Sequence, residues 1–167
     1  MEPVETIALY LFSFLAYAFI GWLGEIVYVR ATEKKWVNRS FVNAPLFLLY
    51  GAGAIGPVML FSATTPVWVT VCSGVFYAAI IEYGGSVLME KIGLSYWDYS
   101  KNRFNLNGRI CFESMTVFAV GIYLAVYIVQ PLLVAFFDKI NTPYTLAVVY
   151  GVSLYVVVDL AVRARRQ

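Results

Sequence analysis

Apolar residues fill five long runs of the chain, and polar residues gather between them. The runs cover about residues 6–29, 46–63, 66–90, 110–137 and 143–162. A helix needs about 20 largely apolar residues to cross the hydrocarbon core of a bilayer, so each run predicts a spanning helix. Lipid offers no partners for backbone N–H and C=O groups, whereas a helix satisfies them internally. The expected fold is all-α: a polytopic transmembrane helix bundle of five spans. The runs use most of the 167 residues, so 1–167 is read as a single membrane-embedded domain without a separate soluble one.

Charge placement orients the bundle. Arg30, Lys34, Lys35 and Arg39 follow the first run, Lys91, Lys101, Arg103 and Arg109 follow the third, and Arg163, Arg165 and Arg166 end the chain. Only Lys139 lies on the other side. Lys and Arg favour cytoplasmic loops, which puts the amino terminus outside and the carboxyl terminus inside. The expected location is the cell (cytoplasmic) membrane, with a multi-pass topology. The same bias explains the basic face, and the last arginines would also attract anionic headgroups. No nucleic-acid partner is expected. The first run opens on Glu2 and Glu5 and exceeds the roughly 7–15 apolar residues of a signal peptide, so it is read as a retained helix. Composition agrees: 61% hydrophobic and 13% charged, where soluble domains carry roughly a quarter charged residues.

Small residues hint at packing. Tyr50-Gly51-Ala52-Gly53-Ala54-Ile55-Gly56-Pro57 would let a short second helix sit close to its neighbours. Gly84 and Gly85 beside Glu82 suggest the same for the third. Cys72 and Cys111 fall in different spans near opposite faces, which disfavours a disulfide and suits two buried packing residues.

The two inner connections resemble each other. Asn38-Arg39 with Asn43 and Asn102-Arg103 with Asn107 share one spacing. This suggests a parallel repeat of two helical hairpins plus one added helix, although biased composition could produce the same match. Both connections mix Asn and Arg with aromatic residues: Trp36 and Phe41 in one, Tyr96, Trp97, Tyr99 and Phe104 in the other. One reading is an interfacial aromatic belt. The other is a folded cap over the inner mouth of the bundle.

Four acids interrupt the apolar runs: Glu25, Glu82, Glu113 and Asp159. An ionisable side chain is costly in hydrocarbon, so each should face protein or water and can mark a pathway or pocket. At 1.5 Å per residue, Glu82 lies roughly 13 Å inside the inner boundary, and the other three about 6–8 Å. Arg109 with Glu113, and Asp159 with Arg163, have the i,i+4 spacing of helical ion pairs. Glu82 has no nearby cation on its own helix, and Ser86 at i+4 can only hydrogen-bond it. Glu82 is the leading candidate for a functional group.

Several chemistries are excluded. With no histidine, a His-based relay, triad or zinc site is absent. No Gly-x-x-x-x-Gly-Lys-Ser/Thr sequence occurs, so the chain holds no P-loop. No cofactor or metal is expected in this chain. A catalytic base at Glu82 or Glu113 is left open, with no pattern of catalytic residues in its favour.

One set of elements is specific: Gly21-Trp22, Glu25, Asn38-Arg39, Tyr50-Gly51, Glu82, Glu90, Trp97-Asp98-Tyr99-Ser100 and Phe104-Asn105-Leu106-Asn107-Gly108-Arg109-Ile110. Over roughly residues 6–135 the chain resembles the bacterial integral membrane family called ABC-transporter type IV, or CmpB-like. It departs from that family at Ser40 and Asn43-Ala44-Pro45, where glycine after arginine and Gly-Pro are usual. The resemblance implies a permease component whose ATPase comes from another polypeptide.

The leading expectation is a membrane transporter or permease component for a small polar or cationic solute. Its carboxylates Glu82, Glu25 and Glu113 would face an inner polar pocket, assisted by Arg39, Asn107 and Arg109, with Trp97 and Asp98 brought in by the resemblance. So few spans favour a homo-oligomer or a partner membrane subunit. The alternatives are a membrane-embedded enzyme, a lipid-headgroup-binding protein, or an accessory structural subunit whose acids and arginines only pair with each other.

Overall fold

The computed structural model describes residues 2–36, 38, 40, 42–91, 93, 95 and 97–165, with the backbone alone at 32, 33 and 164. Its helices are α1 (Pro3–Glu33), α2 (Leu48–Leu60), α3 (Val67–Lys91), α4 (Phe112–Leu124), α5 (Gln130–Ile140) and α6 (Pro143–Ala164). A π turn, Ala125–Val129, joins α4 to α5. Two-residue strands β1 (Asn105–Leu106) and β2 (Ile110–Cys111) pair antiparallel before α4.

Each predicted apolar run is helical, but the second is short. Four helical stretches are long and apolar enough to cross a membrane: Pro3–Ala31, Val67–Lys91, Phe112–Ile140 and Pro143–Arg163. α2 has 13 residues, which at 1.5 Å each span about 20 Å of a core roughly 30 Å thick. Its run loses Leu46 and Phe47 to a non-helical entry, where the Phe47 N–H donates to the Ala18 carbonyl at 2.9 Å. At the far end the Ser62, Thr64 and Thr65 hydroxyls form a turn. The chain is an all-α, multi-pass membrane protein.

The fourth run also starts later than expected. Ile110 and Cys111 lie in β2, and Cys111 caps α4 by accepting the Ser114 N–H on its sulfur at 3.4 Å. The π turn precedes Pro131. Proline has no N–H to give to the carbonyl four residues back, and a widened turn relieves both that loss and the ring clash.

The chain forms two compact units: Met1–Ala52 with Leu132–Gln167, and Gly53–Pro131. In the first, Ala8 and Leu9 of α1 pack on Phe137 and Val149, and a second cluster joins Ala18, Val42, Leu46 and Val156. Gly21 is where α2 meets α1, because a Cβ there would lie 2.3 Å from Tyr50. In the second, α3 and α4 pack along their length. Thr70 is fully buried, and the Tyr127 hydroxyl lies 2.8 Å from its oxygen and 2.6 Å from the Thr65 carbonyl.

Two packing expectations are corrected. Gly84 faces open space, so it marks no close approach. Both cysteines are free, and Cys72 is exposed rather than buried because it lies on the outer side of α3. The second inner connection carries the β1–β2 hairpin, and the first has no strand among the described residues.

Candidate functional site: a polar cavity at the end of the third helix

The second connection folds back on the last turns of α3. Asn107-Gly108 makes the reversal: both residues have positive φ, 54° and 69°, and the Arg109 N–H donates to the Leu106 carbonyl at 3.0 Å. Two consecutive positive φ angles define the mirror-image type I′ turn, which Asn-Gly adopts with least strain. Asn105 braces the loop, accepting the Gly108 N–H at 2.9 Å and donating to the Asn102 carbonyl at 2.7 Å.

That turn delivers two side chains to α3. Asn107 donates to the Tyr83 hydroxyl at 2.8 Å. Arg109 donates to Ser86 at 3.0 Å, pairs with Glu90, and lies over the Tyr83 ring at 5.6 Å. Tyr83, Ser86 and Glu90 stand at i, i+3 and i+7, one face of a helix. Glu90 holds the guanidinium more firmly protonated than usual. The Trp97 indole N–H donates to the Arg109 carbonyl at 2.9 Å, fixing the approach of the upstream segment.

Between these groups lies a cavity of about 240 Å³, lined by Ser86, Met89, Glu90, Ser95, Trp97, Asp98, Asn107, Gly108 and Arg109. Asp98 accepts the Ser100 N–H at 2.8 Å and the Ser100 hydroxyl at 3.0 Å. Those two hydrogen bonds, with Lys101 nearby, hold its carboxyl below the usual aspartate range.

The expected site residues separate into groups. Trp97, Asp98, Asn107 and Arg109 meet at this cavity. Glu82 is buried in α3, 4% exposed, and has a partner in the structure; it is not among the cavity's lining residues. Glu113 is exposed in the first turn of α4. Glu25 belongs to the other compact unit, where it accepts the Tyr50 hydroxyl at 3.2 Å. Arg39 lies outside the described residues, as do Phe41 and Tyr96.

One pairing differs from the spacing rule. Arg109 sits on the turn before α4, off any helix face, so i,i+4 geometry with Glu113 does not exist and Glu90 takes its place. Ser86 accepts from Arg109 as well. The Asp159–Arg163 pair does form, at 3.3 Å, and both groups also hold Asn43. Sequence reasoning left Glu90 and Ser86 out of the site. The Asn-Gly dipeptide was the signal that could have found them, since a tight reversal there aims Arg109 back at α3.

A family model described as Putative ABC-transporter type IV matches residues 12–164. The chain belongs to that family. No curated protein matches it, and no solved structure does. Within each compact unit, ABC-transporter type IV elements quoted above make contacts. Trp22 donates to Asn38 at 2.9 Å, Tyr50 reaches Glu25 and packs on Gly21, and Trp97, Asn107 and Arg109 form the cavity wall. In this ABC-transporter type IV protein the specific sequence elements are therefore contact sets.

Proposed function

We propose that the protein is a membrane transport component, a permease subunit or small transporter, that receives a small polar solute in the cavity of Trp97, Asp98, Asn107 and Arg109. One observation carries this reading: a polar cavity of about 240 Å³, built largely from family elements, sits at the end of a helix long enough to cross a membrane. Glu82, buried about two turns further into α3, extends the polar line inward from Glu90.

The same reading places both basic connections and the carboxyl terminus in the cytoplasm, and the amino terminus outside. The connections flank α2 and α3, so their shared side requires α2 to cross as well. The non-helical residues that flank it, Leu46 and Phe47 before and Phe61 and Ser62 after, would supply the length its 13 residues lack. Energy would come from an ATPase on another polypeptide, because this chain has no P-loop sequence. Only 11% of the apolar window of Pro143–Arg163 is buried, which supports lipid together with a second copy or partner subunit along α6. The accessory-subunit reading draws on the Arg109–Glu90 and Arg163–Asp159 pairs, which neutralise each other without a ligand.

Thermal unfolding of purified protein against a panel of neutral, anionic and cationic small solutes tests the proposal. Ser95→Trp, which fills the cavity from its exposed rim, is the comparison. At least one solute should stabilise the wild type and leave Ser95→Trp unchanged. A panel that stabilises neither, or both equally, overturns it.

A further inference from the structure

The cavity's charges are unequally matched. Arg109 is neutralised by Glu90, held by Ser86 and stacked on Tyr83. Asp98 is in no ion pair among the described residues; its two oxygens accept only the N–H and hydroxyl of Ser100. Each carboxylate oxygen has a second lone pair, so both can still accept. Of the three charged residues in the lining, two are acidic and one basic, a net of one negative charge, with Lys101 near Asp98 but outside the lining.

The surroundings of Asp98 keep it accessible. Gly108 faces it, and a Cβ there would stand 3.0 Å from the Asp98 Oδ1 atom and 3.4 Å from the Ser100 Cβ. Gly108 also has φ +69°, so side-chain-free backbone suits both the turn and the space. Trp97 commits its only polar group to the Arg109 carbonyl, so its remaining surface is an aromatic face. The volume, about 240 Å³, is many times what one water needs and has room for a small headgroup. An anion would meet two carboxylates in this space. A neutral solute would bring Asp98 no charge partner within the cavity.

We infer that the cavity binds an ammonium group, seated on Asp98 and flanked by Trp97. This inference rests on the solute-cavity reading above and names the chemical class of that solute. Ammonium groups come from soluble amines and from ethanolamine lipid headgroups, and the same contacts serve both: a charge-assisted hydrogen bond to carboxylate and attraction to the indole face.

Calorimetric titration of the full-length protein in detergent at neutral pH tests it with three matched probes: ethanolamine hydrochloride, ethylene glycol and sodium acetate. Ethanolammonium should bind the wild type, and the other two should not. Asp98→Asn, which keeps the turn to Ser100 but removes the charge, should weaken ethanolammonium binding by about tenfold or more, while Asp98→Glu retains it. The wild-type probe comparison decides the matter if Asp98→Asn does not fold. In nanodiscs, weaker apparent binding with phosphatidylethanolamine than with phosphatidylglycerol alone identifies the headgroup as the source; equal binding identifies a soluble amine. Acetate or glycol binding instead, abolished by Ser95→Trp, overturns the ammonium assignment and leaves the cavity reading intact. Equal ethanolammonium affinity in wild type and Asp98→Asn, or no binding by any probe, overturns it too.

Discussion

Arg109 pairs with Glu90, nineteen positions earlier in the chain, and not with Glu113, four positions later. The Asn107-Gly108 turn causes this, because it points the arginine backwards onto α3 before α4 begins. Ser86 and the Tyr83 ring complete its seat. A double-mutant cycle on thermal unfolding should give favourable coupling for Arg109 with Glu90 and none for Arg109 with Glu113. Combining Glu90→Arg with Arg109→Glu should recover part of the stability lost by either alone. Coupling to Glu113 would contradict the geometry.

Asp98 makes a second prediction, through pH. Its folded-state pKa is lowered, chiefly by the Ser100 N–H and then the Ser100 hydroxyl. A depressed carboxyl stabilises the fold above its unfolded pKa, near 3.9, and loses that contribution as pH falls through the lower folded value. The gap in melting temperature between wild type and Asp98→Asn should therefore be flat from about pH 7 to about pH 5 and narrow below about pH 4. A gap that widens on acidification would mean the Ser100 contacts favour the protonated acid.

The helices were readable because a bilayer leaves the backbone one economical solution, and apolar run length reports it directly. α1, α3 and α6 begin and end within a few residues of their runs. The connections were not readable in the same way. Spacing rules placed Arg109 on a helix that had not yet started. Residues 97 and 98 came from resemblance to a family and 107 and 109 from the reading of an inner cap, and the seating of Asn107 and Arg109 on α3 depends on two positive-φ residues. Glu25 and Asp159 had visible depth, but their partners Tyr50 and Asn43 lie 25 and 116 residues away, beyond any local rule.

Helix packing gives a third prediction. A Cβ at Gly21 would lie 2.3 Å from Tyr50, whereas one at Gly24 meets nothing within 4 Å. Gly21→Val should therefore destabilise by about 1–3 kcal/mol through overpacking. Gly24→Ala, one turn on, should be neutral or stabilise by up to about 1 kcal/mol, since alanine costs less entropy in a helix. Chemical unfolding in mixed micelles measures both. Equal effects would show that α1 and α2 do not meet at Gly21.

Topology gives a fourth. Single cysteines at Lys35 and Lys101 should react with an impermeant thiol reagent only in inside-out vesicles, and a cysteine at Thr64 only in intact cells. Labelling of the Lys35 and Thr64 positions from the same side would mean α2 fails to cross.

Ligand protection at the cavity rim tests the transport-component reading most directly. Ser95 lines the cavity and is exposed, Cys111 is buried at 3%, and Cys72→Ser removes the exposed endogenous thiol from the background. A cysteine at Ser95 should react readily with a charged thiol reagent when no solute is present. A solute that stabilises the wild type, supplied at ten times its Kd, fills about 90% of sites and should slow that reaction about tenfold. An unchanged rate at saturating solute would contradict the proposal that this cavity receives it.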